Sequence, residues 1–83
     1  MESKYSYEVF NVNEKNFGYA ISKNGIQIIH QEHIPGLSGN HRFRNRKSTE
    51  EVAELMIRKL KQGEFPPTVS QAELSELGLY KAK

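Results

Sequence analysis

The sequence predicts an α+β fold in which a small antiparallel sheet of three to four strands packs on one main helix, with a short C-terminal helix after it. Three observations support this prediction. Runs rich in aromatic and β-branched residues occupy residues 5–31, the pair Asn24-Gly25 separates the last two runs, and residues 49–62 carry a broad apolar stripe at helical spacing. Because that stripe is the one element long enough to cover a sheet face, we expect the helix to lie across the strands.

The strands are predicted from alternation and turn chemistry. The first run, "YSYEVF", is rich in aromatic and β-branched residues and is predicted to be a strand. Its alternation places Tyr5, Tyr7 and Val9 on one face and Ser6, Glu8 and Phe10 on the other. The second, "FGYAIS", places Phe17, Tyr19 and Ile21 on one face and small residues on the other. The third, "IQIIHQ", follows Asn24-Gly25, a pair that tolerates the positive φ of a tight hairpin turn.

The next stretch, "EHIPGLSGNHRF", is predicted to be an ordered loop because it contains Pro35, Gly36 and Gly39. It is expected to end in a short edge strand at Arg42–Arg44.

Two helices are predicted from capping boxes, in which a serine oxygen and a glutamate three residues later satisfy the first backbone donors. Ser48 and Glu51 predict the start of the main helix, and Gly63 supplies a left-handed stop. Glu54 and Arg58 are spaced for an ion pair on the exposed side of this helix.

The second capping box, Ser70 with Glu73, predicts a short helix that ends at Gly78 and turns Leu74, Leu77 and Leu79 inward. The segment "EFPPTV" between the helices contains two prolines and is therefore predicted to be extended, with Phe65 and Val69 closing over the core.

Length and composition predict a single domain over residues 1–83 with an ordered core of about residues 5–79. The absence of cysteine excludes disulfides, thiolate nucleophiles and thiolate metal sites. No apolar run approaches the roughly 20 residues needed to cross a bilayer, so we expect no membrane-spanning segment in this chain.

A basic segment, residues 42–47, is concentrated in a chain whose formal net charge is only +2. Its cations and the aromatic residue among them are Arg42, Phe43, Arg44, Arg46 and Lys47. One interpretation is a polyanion-binding surface in which guanidinium groups hold phosphates and the aromatic ring stacks on a base. The other, which we favour, is an exposed edge strand with the arginines on one face and Phe43 buried on the other.

Metal binding and catalysis are not favoured. His30, Glu32, His33 and His41 include residue types that zinc accepts, but in a strand His33 points away from His30 and Glu32. Ser38 lies near glycines without a nucleophile-elbow context, and the chain contains no aspartate. We therefore predict a protein that is not an enzyme and that has no catalytic residue, cofactor or metal site.

Three segments resemble a known family: "YSYEVF", "GYAISKNGIQIIHQEHIPGLSGNHRF" and "EEVAELMIRKLKQGEFPPTVSQAELSELGL". Their most specific parts are "HIPG" and "FPPTV", which helix and strand propensities do not demand. The chain is similar to the domain-of-unknown-function family DUF4907 of small Bacteroides-type envelope proteins. This resemblance implies a periplasmic or membrane-anchored location, with a natural N-terminal signal or anchor, and supplies no catalytic residue. The chain departs from the family pattern in its polar start, "MESK", which leaves a cytoplasmic location open.

The favoured function is a small noncatalytic interaction or accessory domain of the cell envelope. It would present Tyr5, Tyr7 or Phe10 on an uncovered sheet face or edge to a protein partner. The alternative is a polyanion or nucleic-acid binding module that uses residues 42–47.

Overall fold

The computed structural model describes residues 4–37 and 41–79, and its architecture confirms the predicted α+β class. Ser38 lies outside the described residues. The three strands form one antiparallel sheet in the order β1-β2-β3. The elements are β1 (Tyr5–Asn11), β2 (Phe17–Lys23), β3 (Ile26–Gln31), α1 (Arg46–Lys61) and α2 (Gln71–Glu76).

The turn between β2 and β3 is the predicted tight hairpin. Asn24 and Gly25 both have positive φ, 52° and 85°, which matches the turn to the right-handed twist of the strands. The pairing register of β2 and β3 shifts by one residue after this turn: Ser22 pairs with Gln27, whereas Ile21 pairs with Ile29. Ile28 is therefore an extra residue in β3, a β-bulge that lets it pack against the core together with Ile29.

A fourth strand is reduced to a single β-bridge. Phe17 of β2 pairs with Phe43, and the Phe17 N–H donates to the Phe43 carbonyl at 3.1 Å. The side-chain amide of Asn16 donates to the same carbonyl at 3.3 Å. The predicted edge strand at Arg42–Arg44 thus exists only as one bridge beside the start of β2.

One face of the sheet is covered by α1. Cross-strand partners share a face, so Tyr7 and Val9 of β1 lie on the same side as their partners Ile21 and Tyr19. This side is buried, with Ile21 at 0% and Tyr19 at 1% exposure. The buried core comprises Tyr19, Ile21, Ile34, Phe43, Val52, Ala53, Met56, Leu60, Val69 and Leu74.

The start of α1 differs from the prediction. The helix begins at Arg46 with Asn45 as its N-cap, and the Asn45 side chain accepts from the Ser48 N–H at 2.7 Å. The predicted capping box of Ser48 and Glu51 is therefore wrong. The reason is packing: Ser48 and Thr49 are buried in the first turn, continuous with the apolar stripe, and the Thr49 hydroxyl donates to the Asn45 carbonyl.

The predicted ion pair within α1 is also wrong. The carboxylate of Glu54 accepts a hydrogen bond from the Tyr7 hydroxyl at 2.9 Å, and Arg58 makes no ion pair with it. The partner of Glu54 is therefore a tyrosine on β1, which packs against the helix only in the folded sheet, so the helix sequence alone does not predict this contact.

Of the two residues in the segment after α1 that were predicted to close over the core, Val69 does so and Phe65 does not. Gly63 has a φ of +91° and ends the helix as predicted. Val69 is buried, but Phe65 is 69% exposed, so the prediction that Phe65 closes over the core is wrong. The Phe65–Pro66 peptide bond is cis.

The C-terminal helix follows the sequence prediction closely. Ser70 and Glu73 form both hydrogen bonds of the capping box, and Gly78 follows with a φ of +78°. Leu74 is fully buried, while Leu77 and Leu79 pack against the core and remain partly exposed. Lys59 of α1 joins this helix through an ion pair of 2.8 Å with Glu73.

This ion pair predicts an acid-sensitive contribution to stability. The hydrogen bond from Lys59, followed by one from the Ser70 backbone, holds the pKa of Glu73 below its ordinary value of 4.5. A carboxylate with a depressed folded-state pKa stabilises the fold above its unfolded-state pKa, and this stabilisation is lost as pH falls through the folded-state pKa. Glu73→Gln should therefore be less stable than the wild type at neutral pH, and the difference should shrink in acid.

Urea unfolding over a pH series measures this difference. The matched control is Glu76→Gln, which removes an exposed carboxylate from the same helix but leaves the ion pair with Lys59 intact. Equal pH dependence of the two variants would contradict the assignment.

Candidate functional site

The three aromatic residues predicted to form a contact surface lie on two different faces. Tyr5 and Tyr7 lie on the face that α1 covers and pack against the core. The Tyr7 hydroxyl donates to Glu54, and this hydrogen bond raises the pKa of Tyr7. Phe10 alone lies on the opposite face, so the three do not form one exposed patch.

The uncovered face carries a small aromatic stack. The rings of Phe10 and His30 lie parallel, with centroids 4.9 Å apart. The Phe10 ring also lies over Gly18, where an added Cβ would be 2.9 Å from the ring. His30 Nε2 is 3.0 Å from Glu32 Oε2, and this hydrogen bond lowers the pKa of Glu32. Phe10, His30 and Glu32 therefore contact one another and do not form an open apolar patch.

The basic segment does not form a continuous cationic strip. Phe43 is fully buried, and its ring packs edge-on against Tyr19 at 6.0 Å, so it cannot stack on a nucleic-acid base. This burial agrees with the favoured interpretation of residues 42–44. Arg46 belongs to α1, and its guanidinium lies 5.6 Å from the centre of the Phe17 ring. Arg44 and Lys47 are exposed.

Arg42 and Arg44 instead line a cleft that the sequence did not reveal. This basic cleft has a volume of about 540 Å³, and its walls come from four parts of the chain. The lining residues are Asn16, Ile34, Leu37, His41, Arg42, Arg44, Asn45, Ser48, Gly78 and Leu79. The one available signal was the alternation in "RFR", which places both arginines on the side opposite Phe43.

The charged side chains that line the basic cleft are the cationic Arg42 and Arg44. No carboxylate is among its described lining residues. Nη1 of Arg42 is buried and has no hydrogen-bond partner within residues 4–37 and 41–79. The hydrogen bond with His30 is the main cause of the lowered pKa of Glu32, and the nearby charge of Arg42 adds to it. A buried guanidinium nitrogen without an acceptor is unusual, but this atom is closed off from solvent, so the positive character of the cleft rests on the two arginines that line it, Arg42 and Arg44.

A second surface lies at the hairpin end of the covered face. Ile26 and Phe65 are 70% and 69% exposed and are the large exposed hydrophobic side chains of the described chain. Phe65 borders a shallow pocket of about 370 Å³, and Ile26 pairs across the hairpin with Lys23, which also lines it. We call this surface the apolar end, and its residues are Tyr5, Lys23, Ile26, Ile28, Leu60 and Phe65.

The histidines do not converge on one point. His30 stacks on Phe10, whereas His41 lines the basic cleft. Among the residues that the structure describes, no group of three or more histidine, aspartate or glutamate side chains is arranged to hold a metal ion. Within the same residues, every helix is too short or too polar to span a membrane.

Comparison with known proteins gives one match. A family model described as a domain of unknown function (DUF4907) matches residues 5–76, from the first residue of β1 to the last residue of α2. No curated protein and no solved structure matched the chain significantly.

Proposed function

The chain belongs to the DUF4907 family of domains of unknown function, and from this premise we propose that it is a small noncatalytic interaction domain that binds a protein partner through the apolar end. The observation that carries the proposal is the exposure of Phe65, at 69%, on the wall of a shallow pocket, and of Ile26, at 70%, whose hairpin partner Lys23 lines the same pocket. Large exposed apolar side chains around a pocket are typical of protein contact sites.

The charges around the apolar end indicate the kind of partner. Lys23 lines the pocket, and its ammonium lies 5.9 Å from the centre of the Tyr5 ring. Lys4 is held at the same end by a hydrogen bond between its N–H and the Asn24 side chain at 2.8 Å. No carboxylate lines the pocket within the described residues. We therefore propose a partner that presents an apolar side chain flanked by acidic residues.

A cell-envelope location is part of this proposal and rests on the family resemblance alone. Fractionation of cells that produce the full natural protein would test it. Recovery in the cytosolic fraction only would contradict an envelope location but would leave the apolar end as the contact surface.

The double variant Ile26→Ser/Phe65→Ser tests the contact surface. Because both side chains are exposed, the fold should lose less than about 1 kcal/mol of stability from the two changes together. The affinity for a partner should fall about tenfold or more, since each removed side chain would be buried in the complex. The partner is first captured from extracts with the wild-type chain, then purified and titrated calorimetrically against both proteins.

The matched control is Gln27→Ser, which changes an exposed neighbour of Ile26 that lines the opposite sheet face. It should bind the purified partner as the wild type does. Equal affinity of the double variant and the wild type would contradict the proposal.

The polyanion alternative is supported by the exposure of Arg44, Arg46 and Lys47. Nuclease treatment separates it from the first proposal. Capture that disappears after nuclease treatment and weakens steeply between about 50 and 200 mM salt would favour the alternative.

A further inference from the structure

We propose that the basic cleft is a binding site for a small molecule that carries one carboxylate or phosphate group and a short apolar portion. The site is independent of the apolar end, because the two surfaces share no lining residue.

The anionic group is inferred from the two arginines of the cleft. Arg42 and Arg44 both line it, and no carboxylate is among its described lining residues. A carboxylate or phosphate oxygen in the cleft would accept charge-assisted hydrogen bonds from guanidinium groups at this wall.

The start of α1 supplies a second, independent reason for an anion. Asn45 and Ser48 of this helix start line the cleft. The first turn contains Arg46 and Lys47 and no acidic residue, so its side-chain charges add to the positive end of the helix dipole. An oxyanion in the cleft would offset this accumulation of positive charge.

The apolar portion of the ligand and its size are inferred from the other residues that line the cleft. Ile34, Leu37 and Leu79 are among them, and a hydrocarbon group of the ligand that packs against these side chains would be removed from water, which is favourable. A volume of about 540 Å³ lies in the range of pockets that bind small molecules. Two arginines beside apolar walls suit a single charged group better than a polymer of phosphates.

Titration with defined probes tests the ligand class. Hexanoate and hexyl phosphate carry the two possible head groups, acetate lacks the apolar portion, and hexylamine carries the opposite charge. Hexanoate or hexyl phosphate should give saturable shifts in the nitrogen-15 NMR signals of residues that line the cleft, including the Arg42 side chain. Acetate should bind about tenfold more weakly or worse, because its methyl group buries little hydrocarbon, and hexylamine should not bind.

The variant Arg42→Gln tests one of the two arginines on which the inference rests. It should weaken binding of the better acid probe about tenfold or more. The control Arg58→Gln removes an exposed cation of α1 that does not line the cleft, and it should bind as the wild type does. If Arg42→Gln fails to fold, the Arg42 side-chain signals of the wild type and the exposed-site variant Arg44→Gln still decide the question.

Three results would overturn the proposal. The first is that neither acid probe gives saturable shifts in the cleft. The second is that hexylamine binds as well as the acids do. The third is that only an oligonucleotide binds, in a manner that depends on Arg46 and Lys47, which would assign the basic segment to a polyanion instead.

Discussion

Replacing Phe43 by alanine is expected to lower the free energy of unfolding by about 3–5 kcal/mol, a large part of the total stability of a small domain. The ring is fully buried and packs edge-on against Tyr19. Truncation would remove its contacts and leave a cavity between the bridge at Phe17 and the core, because the backbone there is fixed by hydrogen bonds.

Urea or thermal unfolding measures this loss. Ile26→Ala, at a side chain 70% exposed, is the control and should change stability by less than about 0.5 kcal/mol. If the Phe43→Ala variant were as stable as the wild type, the burial of the Phe43 ring in the core would be contradicted. It would also restore Phe43 as a candidate for stacking on a nucleic-acid base.

Replacing Gly36 by alanine is expected to cost about 2–4 kcal/mol. Two effects combine at this position. Gly36 has a φ of +85°, a left-handed conformation that a Cβ disfavours, and that Cβ would lie 2.6 Å from the Val69 carbonyl oxygen and 3.0 Å from Val69 Cγ1. The obstacle is partly backbone, so it cannot be relieved by rotating a side chain.

Gly63→Ala separates the two effects. Gly63 has a φ of +91°, but nothing lies within 4 Å of an added Cβ. This variant should therefore cost only the conformational term, about 1 kcal/mol. If both variants lose the same stability in urea unfolding, the close approach of Gly36 to Val69 is wrong.

The close approach of Gly36 to Val69 also explains why two short motifs stood out in the sequence. The "HIPG" and "FPPTV" segments are not required by helix or strand propensity, yet Gly36 of one lies against Val69 of the other. Ile34 and Val69, one from each segment, are buried in the same core. Contact between two loops gives no periodic signal, so the sequence indicated that these segments matter but not that they touch.

The candidate sites were less predictable than the fold. Alternation correctly placed Tyr5 and Tyr7 on one face of β1 and Phe10 on the other, but it could not say which face the helix covers. In the same way, the arginines of the basic segment were evident. Their place in a cleft with Asn16 and Leu79 was not, because those walls are distant in sequence.

The sequence by itself determined the strands, the hairpin at Asn24-Gly25 and the capping box at Ser70, since alternation, turn conformation and caps depend on residues only a few positions apart. Only the tertiary structure decided that α1 begins at Arg46, that Phe65 is exposed and that Arg42 lines a cleft. These features depend on burial, and burial is set by segments that meet in space after being far apart along the chain.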